Sequence, residues 1–583
     1  MTEAASPGAP QTLPERLTAI ASATPGRPCY TFVSGRDSTE EHLTYGELHH
    51  QAGCLAAQVR AQGGGHDRAV LLYEPGLDFI IAFFACMYAG ITAIPINPPL
   101  RRERSERFDA VVRDAGAGLV LTSGALRQRL GEVLLAPAAG AATGPALLCL
   151  ETDVLLGQAT AFMPAEAVPP DALALLQYTS GSTATPKGVM ISHRNIMSNQ
   201  RMIQACFEHD EHSVVVGWLP HYHDMGLIGN ILQPVYSGCR CVLMSPLSFL
   251  QRPVRWLEAI SKYGASTSGG PNFAYDLCAR DIDDADCEGL DLSSWSLAFC
   301  GAERIHPDTL ARFASKFKRY GFDPKSLYPC YGLAEATLMV TGGKKLAGPV
   351  VRHFDKARLE HNQAQALRFR RRDALALTGC GQAASPGQVL VVDPQTLEEL
   401  ADGQVGEIWI RGPNIAGGYW QRADENRAVF EATTASGQGP WFRSGDLGFL
   451  HKQELFVTGR LKELIIIRGQ NIYPHDVEHH VVECDGDLRP LSCVAFALTV
   501  GTEEQLVILA ESKKRRAQNA EELVQKIQRK VVEVYGVRPA HVQIVDPLRL
   551  PRTSSGKLQR LRCQQEFAQR QAAADAVPAQ SPN

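Results

Sequence analysis

The segment Tyr178–Val189 combines the residue types that protein loops use to bind phosphate groups. It holds five Ser or Thr hydroxyls, two glycines and one lysine, Lys187. Glycines let backbone N–H groups approach a ligand closely, and the hydroxyls and the lysine add donors and positive charge. Apolar runs at 173–176 and 189–191 predict buried strands on both sides. The segment therefore predicts a strand–loop–strand phosphate site, with a solvated Ser/Gly loop as the simpler alternative. It is not a Walker A loop, since that motif ends in Gly-Lys-Ser/Thr and opens a helix.

Other positions further along the chain carry side chains that suit a nucleotide. Tyr331 precedes Gly332, so its ring is able to lie flat against a purine. Glu335 offers an oxygen ligand for Mg²⁺ on the phosphates. Asp446 follows a glycine, and a buried carboxylate there suits the two ribose hydroxyls. Because Tyr-Gly-x-x-Glu is a common string, each position indicates little by itself.

Three more segments are open to a chemical interpretation. The segment 218–227 contains two histidines and an aspartate, which suggest a metal site but form a weak signature without further ligands nearby. The segment 268–275 predicts a turn that enters a helix, which by itself is an ordinary strand-to-helix connection. Lys557 lies in a Ser/Gly-rich segment, where a lysine is either solvated or able to reach into a site.

Taken together and in chain order, these segments resemble the motifs of the adenylate-forming superfamily. That superfamily contains acyl-CoA synthetases, luciferases, nonribosomal adenylation domains and fatty acyl-AMP ligases. The resemblance extends over about residues 43–562. Four features resemble the fatty acyl-AMP ligase branch: the string Leu-Pro-x-x-His-Asp-Met-Gly-Leu at 219–227, Pro-Asn-Phe-Ala-Tyr at 271–275, the proline pair at 98–99, and a long polar, basic insertion within 338–380.

The resemblance implies a two-step reaction. The enzyme would activate a medium- or long-chain fatty acid with ATP and Mg²⁺ to fatty acyl-AMP and pyrophosphate. It would then transfer the acyl group to the phosphopantetheine thiol of a separate acyl carrier protein of a polyketide, nonribosomal or lipid pathway. An acyl-CoA synthetase with the same fold is the first alternative, and a non-catalytic nucleotide-binding regulator is the second. No Gly-x-Ser-x-Gly elbow is present, which weighs against a hydrolase.

The resemblance also implies roles for individual residues. Lys557 would bridge the carboxylate and phosphate oxygens as a positive charge, His223 would lie nearest the reacting carboxylate, and Glu335 would bind Mg²⁺; these three would be catalytic. Lys462 would be the hinge between two domains. The residues implied for ATP or AMP binding are Thr179, Ser180, Gly181, Ser182, Thr183, Lys187, Gly301, Ala302, Glu303, Tyr331, Gly332, Ala334, Asp446 and Arg460. The residues implied for acyl binding are His223, Asp224, Met225, Gly226, Gly269, Asn272 and Phe273.

The elements that must position these residues alternate between strand and helix up to about residue 99, which predicts an α/β fold with a parallel sheet. Thr44 and Glu47 predict a capped helix start. The apolar run 79–96 is nearly long enough to span a bilayer. Because Gly90 and a proline interrupt it, it predicts a buried helix over 78–89 and a core strand over 92–96 rather than a membrane segment.

A chain of 583 residues predicts at least two domains. We expect a large N-terminal AMP-binding domain of layered α/β sheets over 1–461, which includes a small β subdomain. A small, mobile α+β domain follows over 462–570. Residues 1–12 and the tail 571–583 read as disordered. In the fatty acyl-AMP ligases the insertion that 338–380 resembles is thought to restrain the small domain and to disfavour transfer to coenzyme A.

Composition sets outer limits on function. A net charge of -4 gives no indication of nucleic-acid binding. The 15 scattered cysteines form no CxxC pair, which favours reduced thiols and a cytoplasmic location. The N-terminus lacks the apolar core of a signal peptide. We therefore expect a cytoplasmic enzyme without a transmembrane segment, present as a monomer or a weak dimer.

Overall fold

The computed structural model has the predicted α/β class, with a large N-terminal domain and a small C-terminal domain. It describes residues 10–35, 39–99, 106–131, 147–159, 161–165, 168–179, 186–369, 371, 374–467, 470–500, 503–515, 519–553 and 557–575.

The strands are β1 (Pro28–Ser34), β2 (Thr39–Thr44), β3 (Arg68–Leu72), β4 (Thr92–Ile96), β5 (Leu119–Thr122), β6 (Leu148–Glu151), β7 (Leu173–Thr179), β8 (Lys187–Ser192), β9 (Val214–Gly217), β10 (Arg240–Met244), β11 (Thr267–Gly270), β12 (Leu297–Cys300), β13 (Leu327–Gly332), β14 (Met339–Gly342), β15 (Val351–Asp355), β16 (Ala374–Thr378), β17 (Gln382–Ala383), β18 (Gln388–Val392), β19 (Gly406–Arg411), β20 (Phe442–His451), β21 (Glu454–Arg460), β22 (Ile465–Ile467), β23 (Gln470–Ile472), β24 (Leu488–Val500), β25 (Glu503–Ser512) and β26 (His541–Val545).

The helices are α1 (Leu13–Ala23), α2 (Tyr45–Gln62), α3 (Leu77–Tyr88), α4 (Glu106–Ala115), α5 (Gly124–Leu130), α6 (Thr152–Gln158), α7 (His193–Phe207), α8 (Gln233–Ser237), α9 (Pro246–Gln251), α10 (Val254–Tyr263), α11 (Asn272–Asp281), α12 (Pro307–Phe317), α13 (Lys356–Leu359), α14 (Ala423–Phe430), α15 (Pro474–Glu483), α16 (Ala520–Tyr535) and α17 (Arg560–Asp575).

Two large sheets form the N-terminal domain. One has nine strands in the order β17-β14-β13-β12-β11-β9-β10-β1-β2, and the other has six in the order β6-β5-β3-β4-β7-β8. A single apolar core includes buried residues from both sheets and from the helices between them, such as Leu71 of β3, Phe83 of α3, Ile203 of α7 and Val215 of β9. The two sheets are therefore held in one unit by shared burial of apolar side chains.

The nine-stranded sheet explains why distant motifs meet. Its strands β9, β11, β12 and β13 are parallel neighbours. The carboxyl ends of parallel strands lie at the same edge of a sheet, where ligands bind in open α/β folds. The segments that follow these four strands begin at Trp218, Pro271, Gly301 and Leu333. The sheet therefore brings the sequence motifs to one edge.

The apolar run 79–96 is buried as predicted. Every residue of helix α3 except Asp78 is buried, Gly90 follows the helix with a φ of 61°, and every residue of β4 is buried. In the described part of the chain, no helix has both the length and the apolar character needed to cross a membrane. Burial in the core accounts for the hydrophobicity of this segment.

Smaller sheets complete the molecule. Strands β18 to β21 form a four-stranded antiparallel sheet, in which the predicted Asp402–Gly403 turn lies between β18 and β19 and Gly403 has a φ of 83°. Beyond the predicted hinge, strands β24, β25 and β26 form a three-stranded sheet. Helices α15 and α16 pack on the apolar side of this sheet through residues such as Val477 and Ile527.

Three expectations from the sequence are corrected. Thr12 is not disordered, because its side chain accepts a hydrogen bond from the Glu15 N–H and begins α1. The tail is helical as far as Asp575, since α17 is anchored through buried Cys563 and Phe567; residues 576–583 lie outside the described part. The expected turn at 268–270 is the buried strand β11.

All 15 cysteines are free thiols. The predicted capping box is present, because Thr44 accepts from the Glu47 N–H while Glu47 accepts from the Thr44 N–H. Both observations follow from residue types that the sequence shows directly.

Candidate active site

The predicted phosphate loop joins two antiparallel strands. Thr179 at the end of β7 pairs with Lys187 at the start of β8. The residues between them that were expected to bind phosphate, Ser180, Gly181, Ser182 and Thr183, lie outside the described residues. The strands that carry the loop are thus as predicted, and its interior stays a prediction.

Lys187 does not extend freely into solvent. Its ammonium forms an ion pair with Glu425 of α14 and lies 5.1 Å from the centroid of the Tyr419 ring. The Tyr419 hydroxyl in turn donates a hydrogen bond of 2.8 Å to Oε1 of Glu335. The basic residue of the phosphate loop and the carboxylate expected to bind Mg²⁺ are therefore linked through one aromatic side chain.

Glu335 lies in the short helical turn Ala334–Ala336, directly after β13. Burial raises the pKa of its carboxyl group, and the Tyr419 hydroxyl acts against that rise. The described residues contain no group of three or more His, Cys, Asp or Glu side chains able to hold a metal ion. His221, His223 and Asp224 therefore do not form a metal site of this kind, whereas Mg²⁺ requires only one or two carboxylates together with substrate phosphates.

Tyr331, Asp446 and Arg460 form a second connected set. The Tyr331 hydroxyl donates to Oδ2 of Asp446 over 2.7 Å, and Nε of Arg460 lies 3.1 Å from Oδ1. Asp446 is only 7% exposed, and its negative charge raises the pKa of Arg460. A Cβ at Gly332 would lie 2.0 Å from the Leu338 carbonyl oxygen, so this position requires glycine.

The turn after β12 contacts Lys557 of the C-terminal domain. Lys557 Nζ donates a 2.8 Å hydrogen bond to the carbonyl of Ala302, whose φ is 65°. Gly301 leaves room beside Cys330, since a Cβ there would lie 3.0 Å from the Cys330 carbonyl. Desolvation lowers the pKa of Lys557, although the residue as a whole is exposed, while the nearby carboxylates of Glu303 and Asp224 act in the opposite direction.

Glu303 has a structural contact that the sequence did not indicate. Its Oε1 accepts a 2.7 Å hydrogen bond from the Phe273 N–H in the first turn of α11. Burial raises the pKa of this carboxyl group. Glu303 therefore caps α11 and adds negative charge near Lys557, in addition to its expected place beside the nucleotide.

His223 precedes a single stretch of π-helix, Met225–Leu232. Its Nε2 is buried and has no hydrogen-bond partner among the described residues. Burial, with a smaller effect from the Lys557 charge, lowers the pKa of His223 to about 3, so the ring is neutral. Asp224 accepts from the Met225 N–H over 2.8 Å, and a Cβ at Gly226 would lie 2.1 Å from the Pro220 carbonyl oxygen. His223 thus carries a neutral ring whose Nε2 has no hydrogen-bond partner among the described residues.

A cavity of about 10 Å³ lies beside His223. Its walls come from the carboxyl end of β4, from α4 and from the aromatic residues next to His223. The lining residues are Pro95, Ile96, Asn97, Arg107, Val111, Tyr178, Tyr222 and His223. The cavity combines apolar walls with one cation, and its size corresponds to about one water molecule.

The residues expected to bind the acyl chain have different surroundings. Phe273 is half-buried, with its ring centroid 6.0 Å from that of Trp218. Asn272 is buried and its Oδ1 accepts from the His306 N–H over 3.0 Å, so its amide supports the backbone. A Cβ at Gly269 would lie 2.1 Å from the Phe299 carbonyl oxygen, which shows a close approach of β11 and β12.

The insertion within 338–380 contacts the C-terminal domain. Lys356 of α13 donates to the Val534 carbonyl and lies 4.5 Å from the centroid of the Tyr535 ring. Asn471 donates from its side chain to Asn362 over 2.8 Å and from its backbone to the Glu360 carbonyl over 3.1 Å. The insertion is therefore an interdomain contact and not a surface loop alone.

The predicted hinge, Lys462, is exposed in the short turn Leu461–Glu463 between β21 and β22. Beside it, Arg304 and Asp476 form an interdomain ion pair of 2.9 Å, with each side chain about 10% exposed. The imidazoles of His306 and His479 stack across the same interface, with ring centroids 4.2 Å apart and planes inclined by 15°.

Replacement of His306 with phenylalanine should make stability less dependent on pH. Burial, followed by the charges of His479, Arg304, His475 and His480, lowers the pKa of His306 well below its usual value. Below about pH 6.5 the unfolded chain takes up a proton that the folded chain does not, so stability falls as the pH falls, by up to about 1.4 kcal/mol per pH unit. His306→Phe removes this contribution. Urea unfolding at pH 7.5 and pH 5.0 should show a smaller loss of stability in the variant than in the wild type.

A matched control is His212→Phe, because the His212 side chain is 84% exposed. It should leave the pH dependence unchanged. Equal pH dependence of the wild type and His306→Phe would contradict the assignment of a neutral His306.

Some site residues were missed in the sequence. Tyr419, Glu425 and Arg304 hold charged groups in place but carry no motif of their own. One signal was available, since Tyr419 follows two glycines and precedes a tryptophan. A glycine pair next to large aromatic residues indicates a close backbone approach.

Comparison with known proteins yields two family matches. The model described as AMP-binding enzyme matches residues 17–420, and that described as Disco-interacting protein 2-like, AMP domain, matches residues 462–577.

Similar proteins cover nearly the whole chain. A medium-chain-fatty-acid–[acyl-carrier-protein] ligase of Moorena producens is 37% identical, over 93% of this chain and 92% of its own. A long-chain-fatty-acid–AMP ligase of Mycobacterium tuberculosis is 36% identical, over 94% of this chain and 95% of its own. The crystal structure of a fatty acyl-adenylate ligase from L. pneumophila, in complex with acyl adenylate and pyrophosphate, superposes with a TM-score of 0.75 at 35% identity, over 96% of each chain.

Proposed function

The chain belongs to the AMP-binding enzyme family, in its fatty acyl-AMP ligase branch, and from this premise we propose that it activates a medium- or long-chain fatty acid with ATP. The products are fatty acyl-AMP and pyrophosphate. The acyl group then passes to the phosphopantetheine thiol of a separate acyl carrier protein. The observation that carries the proposal is the position of Lys557, which reaches from the C-terminal domain to the Ala302 carbonyl.

The chemistry explains the need for such a lysine. A carboxylate is a poor acyl donor, and attachment to AMP gives it a good leaving group. The carboxylate must approach the α-phosphate, which is also an anion, in line with the departing pyrophosphate, so positioning and positive charge carry the catalysis. On substrate binding the Lys557 ammonium moves from the Ala302 carbonyl to bridge the two anions. It acts as a charge and keeps its proton.

We propose the remaining roles from the resemblance together with the contacts described above. Asp446 accepts the ribose hydroxyls, with Arg460 beside it, and Tyr331 lies against the purine. His223 offers its unpartnered Nε2 to the carboxylate. Mg²⁺, when bound at Glu335, neutralises charge on the phosphates. Glu335, the phosphate loop and Lys187 would together hold the nucleotide for attack.

We propose that carrier protein, and not coenzyme A, is the preferred acceptor. The contacts of Lys356, Glu360 and Asn362 with the C-terminal domain support this, because they restrain the domain that must move about Lys462 between the two steps. A non-catalytic regulator is disfavoured by the presence of Lys557, Glu335 and Asp446. The 15 free thiols favour the cytoplasm, and we propose a monomer or weak dimer.

The first experiment follows product formation from ATP, Mg²⁺ and fatty acids of increasing length. It is run alone, with coenzyme A and with a phosphopantetheinylated carrier protein. Acyl-AMP that accumulates, passes to the carrier and does not become acyl-CoA is the expected result. Efficient acyl-CoA formation would overturn the assigned acceptor, and absence of acyl-AMP with every fatty acid would overturn the assigned substrate.

Lys356→Ala should loosen the interdomain contact and increase acyl-CoA formation about fivefold, since loss of a hydrogen bond and a cation–π contact costs roughly 1 kcal/mol. Limited proteolysis near Lys462 should become faster by a similar factor. Lys344→Ala is the matched control, because Lys344 is an exposed lysine at the start of the same insertion. If both variants behave as the wild type, the insertion does not restrain the domain through Lys356.

A further inference from the structure

The segment Ala416–Trp420, here called the crossing segment, joins the phosphate loop to the Glu335 turn. The Ala416 N–H donates to the Glu335 carbonyl over 2.9 Å. On its other side, Gly417 and Gly418 exchange hydrogen bonds of 2.9 Å with Met190 of β8, and the Trp420 N–H donates to the Gly188 carbonyl over 2.7 Å. The crossing segment is thus fixed to both parts of the candidate nucleotide site.

Tyr419 is held rigidly within the crossing segment. Asn426 of α14 accepts from the Tyr419 N–H over 2.7 Å and donates to its carbonyl over 2.9 Å. Gly418 has a φ of 118°, and a Cβ there would lie 2.7 Å from the Asn426 side chain. The Tyr419 side chain is only 8% exposed and packs edge-on against Phe430, with ring centroids 5.2 Å apart. Its ring therefore has little freedom to turn.

The ring lies between two opposite charges. The Lys187 ammonium is 5.1 Å from the ring centroid, and the hydroxyl donates to Glu335 over 2.8 Å. Lys187 pairs with Glu425 of α14. Tyr419 therefore contacts both charged groups, Lys187 through its ring and Glu335 through its hydroxyl.

We propose that Tyr419 is a positioning residue for the metal–nucleotide complex, holding the Glu335 carboxylate through its hydroxyl and the Lys187 ammonium through its ring. The inference rests on the proposed function, since it assumes that Glu335 and Lys187 serve ATP. It gives the hydroxyl and the ring separate effects. The hydroxyl sets the orientation of the carboxylate toward Mg²⁺, and the ring keeps Lys187 available to the phosphates.

The test compares Tyr419→Phe with Tyr419→Leu in the full chain. Binding of Mn²⁺, as a spectroscopic substitute for Mg²⁺, is measured by electron paramagnetic resonance with ATP and without fatty acid, so that no turnover occurs. Binding of ATP without metal is measured by calorimetry. Tyr419→Phe should weaken Mn²⁺ binding about 10-fold, the usual effect of losing a hydrogen bond to a charged group, and change metal-free ATP binding less than about twofold. Tyr419→Leu should weaken both.

The matched control is Tyr88→Phe, which removes a buried hydroxyl that lies 2.7 Å from His49 Nδ1 in the distant α2–α3 pair. It should leave both measurements unchanged, and thermal melting reports whether each variant is folded. Acyl-AMP formation by the wild type, together with normal Mn²⁺ binding by Tyr419→Phe, would overturn the role of Tyr419 while leaving the proposed function intact. Absence of acyl-AMP formation by the wild type would instead be the failure of the proposed function. If Tyr88→Phe also weakened Mn²⁺ binding and ATP binding, the effect would not be specific to the crossing segment, and the inference would be overturned.

Discussion

Lys557→Ala should reduce acyl-AMP formation by roughly 10²- to 10³-fold, the range seen when one group that stabilises transition-state charge is removed. The structure gives the reason, because Lys557 is the cation that the C-terminal domain brings to the Ala302 carbonyl. Without it, two anions must approach each other with less compensating charge. The rate of acyl-AMP and pyrophosphate release, measured at saturating ATP and fatty acid, tests this expectation.

Lys514→Ala is the control for Lys557→Ala. Lys514 is an exposed lysine of the same domain, after the end of β25. It should keep the wild-type rate, and both variants should melt at similar temperatures. Acyl-AMP formation by Lys557→Ala at more than half the wild-type rate would contradict the catalytic role. It would indicate instead that Lys557 is a solvated loop residue.

Asp446→Asn should lower kcat/KM for ATP by roughly 100-fold, because it weakens hydrogen bonds to a buried charged group and removes the counter-charge of a cation. In the structure Asp446 receives the Tyr331 hydroxyl at 2.7 Å and the Arg460 guanidinium at 3.1 Å. Asparagine keeps the shape but offers one acceptor oxygen and no charge. The decrease in kcat/KM should come from a higher KM for ATP, while the KM for the fatty acid should change little.

Asp402→Asn provides the comparison for Asp446→Asn. Asp402 is a 54% exposed carboxylate next to the same four-stranded sheet, where it accepts from the Lys452 N–H over 3.1 Å. Its removal should leave both KM values unchanged. An Asp446→Asn enzyme with an unaltered KM for ATP would show that the buried carboxylate is structural and does not bind the ribose.

The sequence predicted local elements well where one residue type decides the outcome. Thr44 and Glu47 form the capping box, Gly90 ends the buried helix, and Gly403 takes the left-handed turn. Each of these depends on neighbours within a few residues, which a reader of the sequence sees directly. The errors at Thr12 and in α17 have the opposite origin, because burial against distant parts of the chain ordered segments that lack strong local signals.

The candidate site was predicted unevenly. The resemblance named Tyr331, Asp446, Arg460 and Lys557, and the structure brings the first three into direct contact. It did not indicate that Glu303 caps α11 or that Asn272 supports the His306 backbone. Those contacts join residues about 30 positions apart, so no local pattern records them.

The sequence by itself determined which side chains are available for chemistry: hydroxyls and a lysine of the kind that bind phosphate, carboxylates of the kind that suit ribose and Mg²⁺, and a second lysine near the C-terminus. It also determined the order in which these groups occur along the chain. These are properties of residue type and spacing, so they can be recognised without knowing which residues are in contact.

Only the tertiary structure decided which of these groups meet. Parallel strands of one sheet place the turns after β9, β11, β12 and β13 at the same edge. Packing of the C-terminal domain then places Lys557 at that edge, and the crossing segment places Tyr419 between Lys187 and Glu335. The physical reason is that the burial of apolar surface, which is non-directional, fixes how the layers stack, and the polar groups meet wherever that stacking leaves them.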